Sequence, residues 1–217
     1  MKRPGIVLVI VILLLCLCTE SGACDGAYMI HIDVDAKRLT LFQGDETIMT
    51  CTVATGAWDT PTPLGVFRIN SRFSGQMSGF GTCFLGLNVP WGQYGIHGTN
   101  KPESIGGNVS HGCIRLNNAD AEKLYARVPN GTVVVIQSGA YGELGDSLRA
   151  LHNGDRSSMV RAVQQRLRAL GYYHGWPDGI YGAMTDKAVQ AARKALALPP
   201  GDVDWSFYQA IGLTLFE

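Results

Sequence analysis

The apolar residues of this chain change their spacing once, and that change limits which folds are open to it. From Tyr28 to Gln137 they fall in short alternating runs separated by glycine-rich and polar turns; from Asp155 onward they recur every three or four residues. Alternation is the period of a strand with one buried face, and the longer period is that of an amphipathic helix. Tyr28–Val34, Arg38–Phe42 and Glu46–Ala54 predict strands joined by hairpin turns at Asp35-Ala36-Lys37 and Gln43-Gly44-Asp45. Val66–Ile69 and Val133–Ile136 predict two more, the latter apolar enough for burial on both faces. One helix interrupts this region: Asn118 can cap Ala119–Val128, with Ala121, Leu124, Tyr125 and Val128 along one side. Ser138–Gly145 has three glycines and no period, which predicts a linker. Beyond it, Asp155 or Ser157 can cap a helix running to Leu170, striped by Met159, Val160, Val163, Leu167 and Leu170 and closed by Gly171. Further helices are predicted from about Thr185 to Leu196 and from about Trp205 to Ile211. The division is a β-rich domain over residues 24–139, a linker over 140–150 and a small helical domain over 151–217.

The N-terminus sets the expected compartment. Lys2 and Arg3 precede an apolar run from Gly5 to Cys18, followed by Ser21-Gly22-Ala23-Cys24. A basic start, a short apolar core and small residues at a cleavage point predict a secretory signal over residues 1–23. The run is shorter than the roughly 18–20 residues that cross a bilayer as a helix. Ser21–Cys24 also resembles the lipobox of bacterial lipoproteins, with Ser21 where leucine is usual. Export to the periplasm or cell wall is therefore expected, with Cys24 as an optional membrane anchor. Cys51, Cys83 and Cys113 would accompany Cys24 into an oxidising compartment, which opens a Cys51–Cys83 disulfide. A chain this apolar does not depend on such a staple, and Cys51 in a strand-like run is more simply a small hydrophobe.

Charge excludes one class of partner. Lys+Arg and Asp+Glu both number 18, and neither half departs from balance, so no basic surface exists to neutralise phosphates and no nucleic acid is expected. With 46% hydrophobic and 17% charged residues, the chain is no disordered tail either.

The densest chemical signal is Ile96-His97-Gly98-Thr99-Asn100, then Ser110-His111-Gly112-Cys113-Ile114-Arg115. A thiol nucleophile needs a base to remove its proton and backbone donors to hold the oxyanion it creates. Glycine beside Cys113 permits close approach of backbone to substrate. Arg115, two residues on, shares the face of Cys113 if the stretch is extended, and a guanidinium there can bind a carboxylate. His97 and His111 both qualify as base by type, and spacing does not choose between them. A turn with a buried thiol is the bland alternative. A zinc site from His97, His111 and Cys113 lacks the usual Cys-x-x-Cys or His-Glu-x-x-His support.

His97 and Ser110-His111-Gly112-Cys113, with Ala54-Thr55-Gly56 and Thr60–Phe67 upstream, resemble the L,D-transpeptidases (the YkuD-like catalytic domain) across roughly Tyr28–Gln137. The resemblance implies a sandwich-like, mainly-β catalytic domain in an α+β two-domain chain. It implies Cys113 as nucleophile, His97 as base oriented by the Gly98 carbonyl, and an oxyanion hole from the amides around Gly112 and Cys113. Ser110 and His111 would shape the site, and Arg115, Thr99 and Asn100 would face substrate. No metal and no cofactor are implied.

Downstream, Gln164, Leu170-Gly171-Tyr172-Tyr173 and Asp178-Gly179-Ile180-Tyr181-Gly182 with Thr185 resemble the three-helix peptidoglycan-binding domain. Ala191-Ala192 stand where that domain usually has Phe-Gln. Tyr172, Tyr173, Trp176 and Tyr181 are open to roles in the core or as sugar-stacking platforms, with core the simpler role for each. The two resemblances imply an enzyme on peptidoglycan: Cys113 attacks a stem tetrapeptide, releases the terminal D-Ala and passes the acyl group to an amine of another stem as a 3→3 cross-link. Carbapenem-type inhibitors are expected to acylate it. Water as acceptor would make it an L,D-carboxypeptidase, and a catalytically silent wall-binding protein is the rival of another class.

Overall fold

The computed structural model describes residues 26–139, 141–145 and 147–214; the expected signal and Cys24 lie outside the described residues. Strands β1 (Tyr28–Asp33), β2 (Arg38–Gln43) and β3 (Glu46–Thr52) form an antiparallel meander. It extends through β10 (Val133–Gln137), β5 (Gly65–Met77), β6 (Gly81–Leu87), β7 (Tyr94–His97) and β9 (Ile114–Arg115) into one eight-stranded mixed sheet, ordered β3-β2-β1-β10-β5-β6-β7-β9. A second, two-stranded sheet pairs β4 (Thr55–Gly56) with β8 (Asn108–Ser110).

β5 lets one sheet behave as two layers. Its first residues pair with β10, its later ones pair with β6, and the register slips between Ile69 and Ser71 and again between Ser74 and Met77. Such irregularities bend a strand and raise its twist. Ile30, Ile32, Leu39 and Leu41 from one end then share a single core with Leu85, Leu87, Ile96 and Ile114 from the other. Helix α1 (Asn118–Arg127) adds Ala121 and Leu124 to that core. Asn117, not Asn118, occupies its cap position, and no side chain bonds there. The helix stops at Val128, held extended by the following Pro129. β10 alternates: Val134 and Ile136 are buried while Val133 and Val135 are half-buried, so the two-faced burial expected for it is incomplete.

The remaining apolar side chains build a second core. Helices α2 (Ser158–Ala169), α3 (Ala183–Ala195) and α4 (Trp205–Ala210) surround it. Ser157, one of two caps open in the sequence, accepts from the Val160 N–H at 3.2 Å. Gly171 ends α2 at φ 83°, a conformation that costs glycine little. Tyr173 and Tyr181 lie in this core, whereas Trp176 is 75% exposed. Between the two cores, Gly142–Leu144 forms a 3₁₀ turn and the Glu143 carboxylate takes the Arg161 guanidinium. That guanidinium lies over the rings of Phe67 and Trp91, and the Leu64 N–H donates to Ser158 Oγ at 2.6 Å. Ile180 packs against the first core. The helical unit is thus seated on the β unit along the 61–67 segment.

Candidate active site

His97 ends β7 and Cys113 directly precedes β9, its parallel neighbour, with Ile96 opposite Ile114 and His97 opposite Arg115. This pairing brings two distant stretches of sequence to one sheet edge. The His97 ring is 2% exposed, stacked on Phe84 and met edge-on by Phe80. Its Nδ1 lies 2.5 Å from the Gly98 carbonyl oxygen, which can only accept. The proton is therefore on Nδ1, and Nε2 is left as an acceptor. Gly98 has no room for a side chain, because a Cβ there would collide with Asn118 Oδ1.

The stretch before Cys113 is fastened by short polar bonds. The Ser110 hydroxyl donates to the Cys113 carbonyl at 2.6 Å and accepts from the Gly112 N–H at 3.1 Å. Thr60 Oγ1 donates to the Ser110 carbonyl at 3.1 Å, and the Gly56 N–H donates to Thr62 Oγ1 at 2.8 Å. Gly112 adopts φ 104°, where a side chain would be strained, and a Cβ there would lie 2.5 Å from the Tyr94 ring and 3.1 Å from the Pro61 carbonyl oxygen. Both tightness and dihedral require glycine.

These bonds refine the expected oxyanion hole. The Gly112 N–H is committed to Ser110, so it does not point into the site; the Cys113 N–H has no acceptor among the described residues. Thr99 is buried with its hydroxyl accepting from the Lys101 N–H at 3.1 Å, while Asn100 and His111 are exposed. Arg115 is half-buried, and its Nε is buried without a hydrogen-bond partner. The sequence carries no signal for Tyr94: its ring backs Gly112, and burial, with a smaller push from ionised Cys113, raises its hydroxyl above the usual phenol range. Only a register for β7 could have revealed it, since an isolated tyrosine carries no motif.

The electrostatics favour a neutral pair. Burial pushes the Cys113 thiol up, against the Gly95 backbone and the Arg115 cation, which pull it down. Burial likewise pushes His97 down, with Arg115 acting the same way and the carbonyls of Gly98 and Phe80 opposing. At neutral pH these directions leave Cys113 a thiol and His97 an uncharged imidazole. Cys51 and Cys83 are free, not bridged, and burial pushes the Cys51 thiol up to about 12. Among the described residues, no three His, Cys, Asp or Glu side chains converge as metal ligands.

A thiol and a tautomer-fixed imidazole on the edge of a bent mixed sheet, with a separate helical unit docked beside them, define the class. Residues 27–136 match the L,D-transpeptidase catalytic domain (YkuD), and this chain belongs to that family. Residues 156–211 match the peptidoglycan binding domain. YkuD of Bacillus subtilis, which bears the name L,D-transpeptidase, is 44% identical over 109 residues, covering 50% of this chain and 65% of that protein. Its Bacillus licheniformis counterpart is 42% identical over the same length and coverage. The chain thus spans 65% of the length of the curated relatives it matches there. A solved L,D-transpeptidase from Mycobacterium smegmatis aligns at 24% identity with a TM-score of 0.43, covering 51% of this chain and 58% of that one.

Proposed function

We propose that this chain is an exported peptidoglycan L,D-transpeptidase working through a thioacyl-enzyme on Cys113. The observation that carries the proposal is the Gly98 carbonyl on His97 Nδ1, which leaves Nε2 unprotonated on the strand paired beside Cys113. Family membership supports the rest.

In the first step Nε2 removes the thiol proton as Sγ bonds to the carbonyl carbon of the third stem residue. The electron pair displaced onto the carbonyl oxygen is held by the Cys113 N–H. Collapse breaks the peptide bond, and the departing D-Ala amine takes the proton from the imidazolium. In the second step an acceptor amine attacks the thioester, gives a proton to His97 and displaces the thiolate, which is reprotonated. A thiolate suits both steps as nucleophile and leaving group. Arg115 lies close enough to lower both partners' proton affinities, and its unpaired Nε is available to a substrate oxygen. The helical domain would hold the enzyme on its polymer, raising local substrate concentration without altering the chemistry.

The test is incubation of the mature protein with purified tetrapeptide muropeptides, with and without an acceptor stem, and mass analysis of products. A cross-linked dimer with loss of one D-Ala is expected. Hydrolysed tripeptide alone, even with acceptor present, assigns water as the acceptor, and unchanged substrate defeats the proposal.

A further inference from the structure

Where the helical unit meets the β unit, a cleft of about 200 Å³ opens beside the nucleophile loop. One wall is the 59–63 segment with Tyr94 and His111; the other comes from Arg149, Arg156 and the start of α2. Tyr94 and Pro61 are the same groups that pack on Gly112, one residue before Cys113. The cleft therefore reaches the reacting thiol's own loop.

Its polar side chains divide sharply. Thr60, Thr62, Ser157 and Ser158 are each satisfied by backbone groups of the protein. Arg149 and Arg156 are exposed and form no ion pair or side-chain hydrogen bond among the described residues. Their backbones, however, are fixed. The Arg149 carbonyl accepts from the buried Tyr208 hydroxyl at 3.0 Å, and Arg156 bridges to Ile180. Asp59 also lines the cleft, so two arginines stand against one acid among its described lining residues. Arg149 lies outside both family-matched segments, 27–136 and 156–211.

The geometry points to Arg149, from the linker, and Arg156, from the helical domain, as a carboxylate-binding subsite against the loop that carries Cys113, receiving a stem-peptide carboxylate. This deepens the proposed transpeptidase activity and rests on it. Paired planar guanidiniums are suited to a carboxylate, through charge-assisted and often bidentate bonds. The helical domain then does more than tether: it completes the substrate site, and the interdomain contacts of Arg161 and Ser158 set the spacing.

The experiment uses the full mature chain, its Arg149→Gln and Arg156→Gln variants and the double variant. Iodoacetamide, an uncharged probe, should alkylate Cys113 at the wild-type rate in all of them, because neither arginine belongs to the thiol–imidazole pair. Release of the terminal residue is followed for a tetrapeptide stem, and transfer for an added acceptor stem, each offered with free or amidated carboxylates. Losing one guanidinium should raise KM roughly tenfold, the worth of one charge-assisted bond at an exposed site. kcat should hold, and the amidated peptide should show no such penalty. A penalty in release assigns the carboxylate to the donor; one confined to transfer assigns it to the acceptor. If the wild type works and the double variant matches it on every peptide, the subsite is wrong. A wild type that acts on no stem peptide overturns the transpeptidase proposal, and the subsite with it.

Discussion

The two cores treat buried polar groups differently. In the helical unit they are saturated. Gln164, with no exposed surface, places Nε2 within 2.9–3.3 Å of Tyr173 Oη, Asp178 Oδ1, the Ile180 carbonyl and Thr185 Oγ1, and accepts from the Gly179 N–H at 2.8 Å. Arg193, 2% exposed, donates to the carbonyls of Pro199 and Asp202 and to Asp204. In the β unit, four buried atoms are orphaned among the described residues: Asn118 Oδ1 against Gly98, Arg115 Nε on the residue paired with His97, Thr82 Oγ1 on β6 and, further off on β5, Arg72 Nε. Tyr181 Oη is the exception on the helical side. A satisfied network specifies a fold, while an unsatisfied one at an open edge holds bonding capacity for something that arrives later.

The sharpest way to break this contrast is at the thiol. Cys113→Ser should reduce turnover by about 10⁴-fold or more and lose the single carbapenem adduct, measured by intact mass and mapped to the Ser110–Arg115 peptide. An adduct that instead depends on Cys51 or Cys83 would remove the β unit's claim to the chemistry. Next in size, His97→Ala should slow acylation roughly 10²–10⁴-fold while leaving the thiol present. His111→Ala, at an exposed position, should cost less, and the opposite order would transfer the base role to His111.

Gln164→Ala should act in the opposite compartment. Stranding the partners of one saturated side chain should destabilise the helical unit by about 2–4 kcal/mol, read by urea unfolding, with release from small soluble stems nearly unchanged. Loss of release under conditions where the helical unit stays folded would place Gln164 in the substrate site instead of the helical core. The mildest probe is pH. His97 is pushed below 6.5, so turnover should persist through pH 6.5 and fall only at lower pH, where the imidazole gains its proton. Cys113 is pushed above 9, so iodoacetamide labelling without substrate should climb only above pH 9. Stability follows the same signs: the unfolded chain binds the histidine proton more readily as pH falls, and releases the thiol proton more readily as pH rises. A bell-shaped stability curve is expected, and a labelling rate already at its plateau at pH 7 would contradict the neutral pair.

Legibility differed by element. The meander β1–β3 and helix α2 were visible because alternation and the 3.6-residue stripe are local properties. β6 and β7 were not: Gly81–Leu87 and Tyr94–His97 carry glycines and polar residues whose strand conformation is imposed by neighbours. The same applies to the later half of β5, which runs to Met77 although its alternation fades after Ile69. Cys113 and His97 are legible as candidates because their order and spacing match those of a family. The commitment of the Gly112 N–H to Ser110, the backing of the loop by Tyr94 and the approach of Arg149 and Arg156 are facts of three-dimensional packing, and no run of residues encodes them locally.

The position of β1 bears on how such a chain is made. β1 is the first strand of the β unit, yet it lies inside the sheet, flanked by β2 and, in parallel, by β10, where Met29 stands opposite Val133. One side of the first strand therefore has no partner until nearly all of the catalytic unit has been synthesised. Pairings between such distant segments form late and slowly. Closure of the sheet then joins the first strand of the β unit to its last in one step.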